Sequence, residues 1–203
     1  YSYFINLILD FRANNGPNVL RVSEDYLLIQ NAIENADNGD IILVEPGVYY
    51  EHISFLDKNI SLVALPYSGY EDNTSGSVVL DGGGQQGSVV TINNGQDQSS
   101  ILLGFEIQNG YSPDYGGGIL IENSSPTIDR NVIHNNTAGN CGGGGGGIAV
   151  LGLSYPHLFG NEIFDNTVQG DCDCICYFGG GIYVDSLAWP VLGGSTTIGN
   201  VLS

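Results

Sequence analysis

The stretch Gly116-Gly-Gly-Ile119-Leu-Ile121 recurs as Gly145-Gly-Gly-Ile148-Ala-Val150 and again as Gly179-Gly-Gly-Ile182-Tyr-Val184. Successive first isoleucines lie 29 and 34 residues apart. A second marker follows each copy: Ser125-Pro126-Thr-Ile128, then Tyr155-Pro156-His-Leu158, then the degenerate Trp189-Pro190-Val-Leu192. A third stretch comes next, Asn131-Val-Ile133-His-Asn135-Asn136-Thr137 and then Asn161-Glu-Ile163-Phe-Asp165-Asn166-Thr167. Gly104-Phe-Glu-Ile107-Gln-Asn109-Gly110 reads as an earlier copy of it. This is a repeat array.

Each repeat holds three short runs of alternating apolar residues punctuated by Gly, Pro and Asn, and none has helix-length periodicity. Such strands bury their inward residues only by stacking on the next repeat. The expected fold is therefore all-β, a right-handed parallel β-helix or solenoid with three strands per repeat. Ile119, Ile121, Ile148, Val150, Ile182 and Val184 are expected to form inward columns. Asn131 with Asn161, and Asn136 with Asn166, should occupy equivalent turns where stacked amides satisfy one another. The glycines fit turns that need positive φ or close backbone approach. A phosphate-cradling role would require a following helix and a Lys, and the sequence offers neither.

The N-terminal part departs from the repeat. Residues 26–35 space Leu28, Ile29, Ala32 and Ile33 as on a helix, with Ser23 as a candidate N-cap, and a short helix there would cap the open end of the coil. Asp40-Ile-Ile-Leu-Val-Glu-Pro-Gly-Val-Tyr-Tyr-Glu51 reads as strand, Pro-Gly turn and strand. Residues 1–21 are expected to form an extended arm and 22–203 a single β-helix domain.

The chain has 22 acidic residues against 4 basic ones, a formal charge of −18, so a nucleic-acid partner is not expected. The acidity fits solubility, suppression of non-specific association, or calcium binding, and calcium is the one cofactor it suggests. The apolar opening run is far shorter than the roughly 20 residues of a membrane helix, so no membrane span is expected. Met is absent even at position 1, which fits a processed chain or the ordered part of a longer one. Cys141 and the cluster Cys172, Cys174 and Cys176 lie in Gly-rich turns about 4.8 Å apart if stacked, a spacing that admits disulfides. A soft metal is the competing reading, disfavoured by the lack of a nearby His. Sequons at Asn59, Asn73, Asn123 and Asn135 fit a secreted or cell-surface chain.

Gly39-Asp40-Ile-Ile-Leu-Val-Glu-Pro-Gly47-Val-Tyr49-Tyr-Glu51, Lys58-Asn-Ile-Ser-Leu-Val63 and the Gly-Gly-Gly-Ile copies together resemble the pectin-lyase-like superfamily of parallel β-helix proteins, from about residue 22 onward. The resemblance implies the fold. It implies no single activity, because that superfamily mixes esterases, lyases and hydrolases with adhesins and surface repeat proteins. Gly47-Val-Tyr49-Tyr-Glu51 matches a motif near the start of pectinesterases. Of their catalytic motifs only Gln96-Asp97-Gln98 faintly echoes one.

No catalytic residue is assigned. Arg130 beside Asp129 is the one cation in the repeats, and a neighbouring pair at a turn reads as a solvated ion pair rather than a lyase base. Paired carboxylates for hydrolysis are missing where the strands carry Asn. His52, His134 and His157 show no triad pattern, and His134 and His157 read as surface residues. Tyr111, Tyr115, Tyr155 and Tyr177 are candidates for stacking on sugars, with packing over turns as the alternative.

The last residues look like a repeat begun and left uncapped, and the apolar arm bearing Tyr1, Tyr3, Phe4, Ile5, Leu7, Leu9 and Phe11 could add to a neighbour's open edge. Head-to-tail contact of this kind builds a filament. The functional expectation is a non-catalytic, extracellular structural protein that homo-oligomerises through its coil ends. The alternative is a polysaccharide-binding or polysaccharide-degrading relative.

Overall fold

The computed structural model describes residues 16–65, 76–139, 143–169 and 179–202. Strands numbered along the chain assemble there into four sheets, and every strand pairing between them is parallel. Sheet A contains β1 (Val19–Val22), β2 (Ile41–Val44), β5 (Ser61–Ala64), β8 (Ile101–Leu103), β12 (Thr127–Asp129), β16 (His157–Phe159) and β20 (Val191–Gly193) in that order. Sheet B runs β3 (Gly47–Tyr49), β6 (Val78–Asp81), β9 (Glu106–Gln108), β13 (Val132–His134), β17 (Glu162–Phe164) and β21 (Thr196–Ile198). Sheet C runs β4 (Ile53–Ser54), β7 (Val90–Ile92), β11 (Ile119–Glu122), β15 (Ile148–Leu151) and β19 (Ile182–Val184). Sheet D is the smallest, with β10 (Tyr111–Ser112), β14 (Thr137–Gly139), β18 (Thr167–Gln169) and β22 (Val201–Leu202).

Equivalent residues of the repeats are register partners. Ile119 pairs with Ile148 and Ile148 with Ile182, Ile128 with Leu158, and Ile133 with Ile163. Stacked parallel sheets with this register fit a parallel β-helix. Ile119, Ile121, Ile128, Ile133, Ile148, Val150 and Leu158 are fully buried in one apolar core that runs through the described repeats. Each such side chain contributes about 1.5–3 kcal/mol relative to exposure. Ile182 is partly buried and Val184 is 39% exposed, so the inward columns loosen at the last described repeat.

Among the described residues, four strands, not three, make up each turn from β7 onward. Asn135 and Asp165 adopt positive φ (54° and 52°), and this bend splits the third stretch into β13 and β14, and again into β17 and β18. Asn tolerates that left-handed conformation better than most residues, because its short amide can bond locally. Directly after each bend, Asn136 and Asn166 turn inward and are completely buried.

Those asparagines form ladders. Asn136 Nδ2 donates to Asn166 Oδ1 (3.0 Å), and Asn166 Nδ2 donates to Asn200 Oδ1 (3.0 Å). The backbone N–H of Asn136 and of Asn166 donates to the same acceptors. A second ladder joins Asn131, Asn161 and Ser195. Every amide also donates to a backbone carbonyl of a strand in the preceding repeat, as Asn161 does to Ile128 O and Asn166 to Ile133 O (both 2.8 Å). The ladders thus pair backbone groups at corners where no strand can, which is the requirement for burying them.

The Gly-Gly-Gly-Ile motif interlocks with one ladder. Its first glycine has positive φ in all three copies: Gly116 65°, Gly145 68° and Gly179 23°. Its third lies against the ladder: a Cβ on Gly118 would sit 2.9 Å from Asn136 Nδ2, and one on Gly147 would sit 3.0 Å from Asn166 Nδ2. No other residue fits so close an approach.

At the N-terminal side, α1 spans Ile29–Asn35 and packs against β1, β2 and β4 with Ile29, Ala32 and Ile33 buried. It is shorter than the periodicity predicts. Ser23 is not its N-cap: Ser23 has φ 91° and its N–H donates to Tyr26 O. Leu28 holds the N-cap position without a side-chain cap. Glu51 supplies the missing acceptors from a distant strand end, taking the Ile29 and Gln30 N–H at 2.9 and 3.0 Å. At the other end Lys58 Nζ donates to Ile33 O and Glu34 O. An anion at the amino end and a cation at the carboxyl end both complement the helix dipole.

The boundary read at residue 22 falls inside β1, which is paired along its length with β2. Strands β2, β5 and β8 are apolar on both faces: Ile42, Leu62 and Leu102 enter the main core, while Leu43, Val63 and Leu103 form a separate small cluster on the opposite face.

Candidate functional site

Among the described residues, those read from the sequence as chemically interesting do not converge on one point. Arg130 pairs with Asp129 at 3.1 Å, and its side chain is 56% exposed at a positive-φ turn. Burial raises the Asp129 carboxyl pKa, and the guanidinium beside it pulls the other way. Gln96 is buried within a turn, where it donates to Leu56 O and accepts from Ser124 Oγ. Its resemblance to a catalytic motif therefore lands on a corner-stacking residue. Glu51 of the Gly-x-Tyr-x-Glu motif is occupied by the amino end of α1, and Tyr49 donates its hydroxyl to Glu45 O. Burial first, then Glu45 and Glu51, raises the Tyr49 pKa.

His134 is not a surface residue. It is 9% exposed, stacks parallel on Phe164 with centroids 4.9 Å apart, and places Nε2 3.0 Å from Glu106 Oε1. Strand pairing puts Phe164 directly beside it, so the ring is covered by a neighbour that periodicity leaves unspecified. Asn135 Nδ2 faces its Nδ1, and Ser77 Oγ donates to Glu106 Oε2. The carboxylate thus stands between serine and imidazole, an order that cannot activate the hydroxyl as in a hydrolytic triad. His52 faces two carbonyls, Ser88 O and Gly82 O. His157, half-buried on β16, tilts against Phe159.

Of the tyrosines, Tyr115 stacks on Tyr183 (5.2 Å between centroids). Burial, followed by Tyr115 and Asp185, raises the Tyr183 pKa. Tyr155 is 48% exposed on a turn, and its N–H is held by Ser125 Oγ. Trp189 occupies the equivalent turn of the next repeat and is 69% exposed. Leu153 and Leu187 are exposed as well, and the Leu153 N–H donates to Asn123 Oδ1. The signal for Trp189 was the degenerate Trp-Pro marker itself.

Tyr111 lies in a different place. It borders a shallow groove of about 600 Å³ that is also lined by Tyr50, Asp81, Asn109, Asn135 and Thr137. Sequence reading missed Tyr50, which follows the motif tyrosine, and Asp81, which lies in a glycine run. Among the sequons, Asn123 and Asn135 are exposed at positive-φ turns, whereas Asn59 is half-buried with Oδ1 accepting from Asp97 N and Ser100 Oγ. Cys141, Cys172, Cys174, Cys176, Asn73, Tyr177 and the arm residues Tyr1 to Phe11 lie outside the described residues.

Among the described residues, no three His, Cys, Asp or Glu side chains group closely enough to hold a metal ion. No helix there is long and apolar enough to cross a membrane. Comparisons with curated proteins and with solved structures return no match. The family model described as "Protein of unknown function (DUF1565)" matches residues 60–198, the stretch that holds the three Gly-Gly-Gly-Ile copies. The chain belongs to the DUF1565 family.

Proposed function

We propose that the chain is a right-handed parallel β-helix of the pectin-lyase-like kind, with α1 as its N-terminal cap. It acts as a non-catalytic structural protein, secreted or at the cell surface, whose copies stack head to tail into a filament or surface assembly. One observation supports the reading: the described strands form parallel ladders whose register repeats from one turn to the next, a pairing that another copy can continue. Leu158 is fully buried while its register partner Leu192 is 58% exposed, and Val150 is fully buried while Val184 is 39% exposed. Ile198 at 72% and Trp189 at 69% extend the apolar surface.

The occupant proposed is the amino-terminal end of a second copy. Sheet topology favours that order: among the described residues β1 and β20 are the opposite edge strands of the same parallel sheet, so the β20 edge of one copy matches the β1 edge of the next. Repetition of a heterologous contact does not close, so it propagates.

Sedimentation velocity and electron microscopy of the purified full chain test this. Concentration-dependent, one-subunit-wide assemblies that are lost in Leu192→Glu and Trp189→Glu are expected. Monomers at every concentration, or assemblies indifferent to both substitutions, would overturn it.

A further inference from the structure

We infer that the groove between Tyr50 and Tyr111 is a binding site for a neutral oligosaccharide, separate from the coil ends. Its walls are two exposed rings, Tyr50 at 75% and Tyr111 at 37%. Asn109 and Asn135 are exposed along it at equivalent corners of successive repeats, with φ of 56° and 54°. Spanning β6, β9 and β13, the groove crosses about 10 Å at roughly 4.8 Å per strand. That is room for a short chain of sugar rings lying along the stack.

Asp81 organises the floor. It is 7% exposed and accepts from Gly83 N (2.7 Å), Gln108 Nε2 (2.9 Å) and Asn109 Nδ2 (2.9 Å). The Asn109 amide is thereby fixed with its oxygen outward. Asn135 is fixed in the same sense, its Nδ2 facing His134 Nδ1. Asn109 Oδ1, Asn135 Oδ1, Thr137 Oγ1 and the two phenol hydroxyls have no hydrogen-bond partner among the described residues.

These groups select the ligand by chemistry. Two of these groups are amide oxygens that only accept and three are hydroxyls that both donate and accept, so a ligand rich in hydroxyl groups matches them. The rings call for a flat face of C–H groups, and Tyr offers that contact with a polar tip alongside. A pyranose chain has both. Among the described residues no Lys or Arg lines the groove, Asp81 lies in its floor, and the chain carries −18, so phosphorylated or uronic ligands are disfavoured.

Isothermal titration of the full chain with cellohexaose, xylohexaose and laminarihexaose, and with hexagalacturonate as the anionic control, tests the site. Because Asn135 is also a sequon residue, intact mass first establishes that it is unmodified. At least one neutral hexasaccharide is expected to bind at about millimolar Kd. Tyr50→Ala and Tyr111→Ala should each weaken it about tenfold while Tyr155→Ala leaves it unchanged, with circular dichroism unaltered throughout. Tyr111→Phe should retain most of the affinity, separating ring stacking from the hydroxyl. The inference is overturned by no neutral binding up to about 10 mM, by equal or tighter binding of hexagalacturonate, or by binding that both alanine variants leave intact.

Discussion

Asn166 receives two hydrogen bonds from Asn136 on a single amide oxygen, one from Nδ2 and one from the backbone N–H, both at 3.0 Å. The amide then passes its own protons on to Asn200 Oδ1, Ile133 O and Phe164 O. It is completely buried, so each of these contacts replaces water that has no access.

Asn166→Ala is therefore expected to lower stability by about 3 kcal/mol, because it strands the Asn136 N–H and opens a polar gap in the ladder. Exposed Asn93→Ala should change it by less than about 0.5 kcal/mol. Urea denaturation of the two variants measures the difference.

The glycine column beside that ladder predicts a second asymmetry. A Cβ at Gly118 would lie 2.6 Å from Gly147 O, whereas one at Gly95 meets nothing within 4 Å although its φ is 78°. Gly118→Ala should cost about 3 kcal/mol through overpacking, and Gly95→Ala only about 1–2 kcal/mol through backbone strain. Thermal unfolding of both variants tests the order.

Glu51 and Lys58 hold opposite ends of α1. Glu51→Ala should destabilise the protein by about 1–2 kcal/mol, with Lys58→Met losing less, since one removes acceptors for two backbone N–H groups and the other donors to carbonyls near water. Hydrogen exchange should localise the early loss of protection to residues 29–35.

Acid titration should separate three carboxylates by sign. Bonds from Ser99 lower the Asp97 pKa, and backbone N–H groups of Ser186 and Gly152 lower that of Asp185. Both stabilise the fold above the ordinary carboxylate range and lose that contribution as pH falls through their folded values. Asp129 is raised by burial, so its charged form opposes folding and stability declines as pH rises through its folded value. Asp97→Asn and Asp185→Asn should flatten the acid limb of a melting-temperature profile, and Asp129→Asn should raise the neutral plateau.

The repeat was legible because stacking places each residue beside its own equivalent. Ile119, Ile148 and Ile182, or Asn131 and Asn161, announce their partners by recurring, and so the parallel pairing, the inward columns and the need for glycine at Gly116, Gly145 and Gly179 could be read from spacing alone. Tertiary structure decided what recurrence cannot encode. The fourth sheet depends on bends at Asn135 and Asp165, and the burial of His134 depends on Phe164, a neighbour unlike itself. Glu51 caps a helix some twenty residues earlier in the chain. The groove joins Tyr50, Asp81 and Tyr111, which share no motif and meet only because successive turns of the chain bring their corners into line. Identity between neighbours leaves a period in the sequence; contacts between unlike residues leave none, and only the folded chain brings them together.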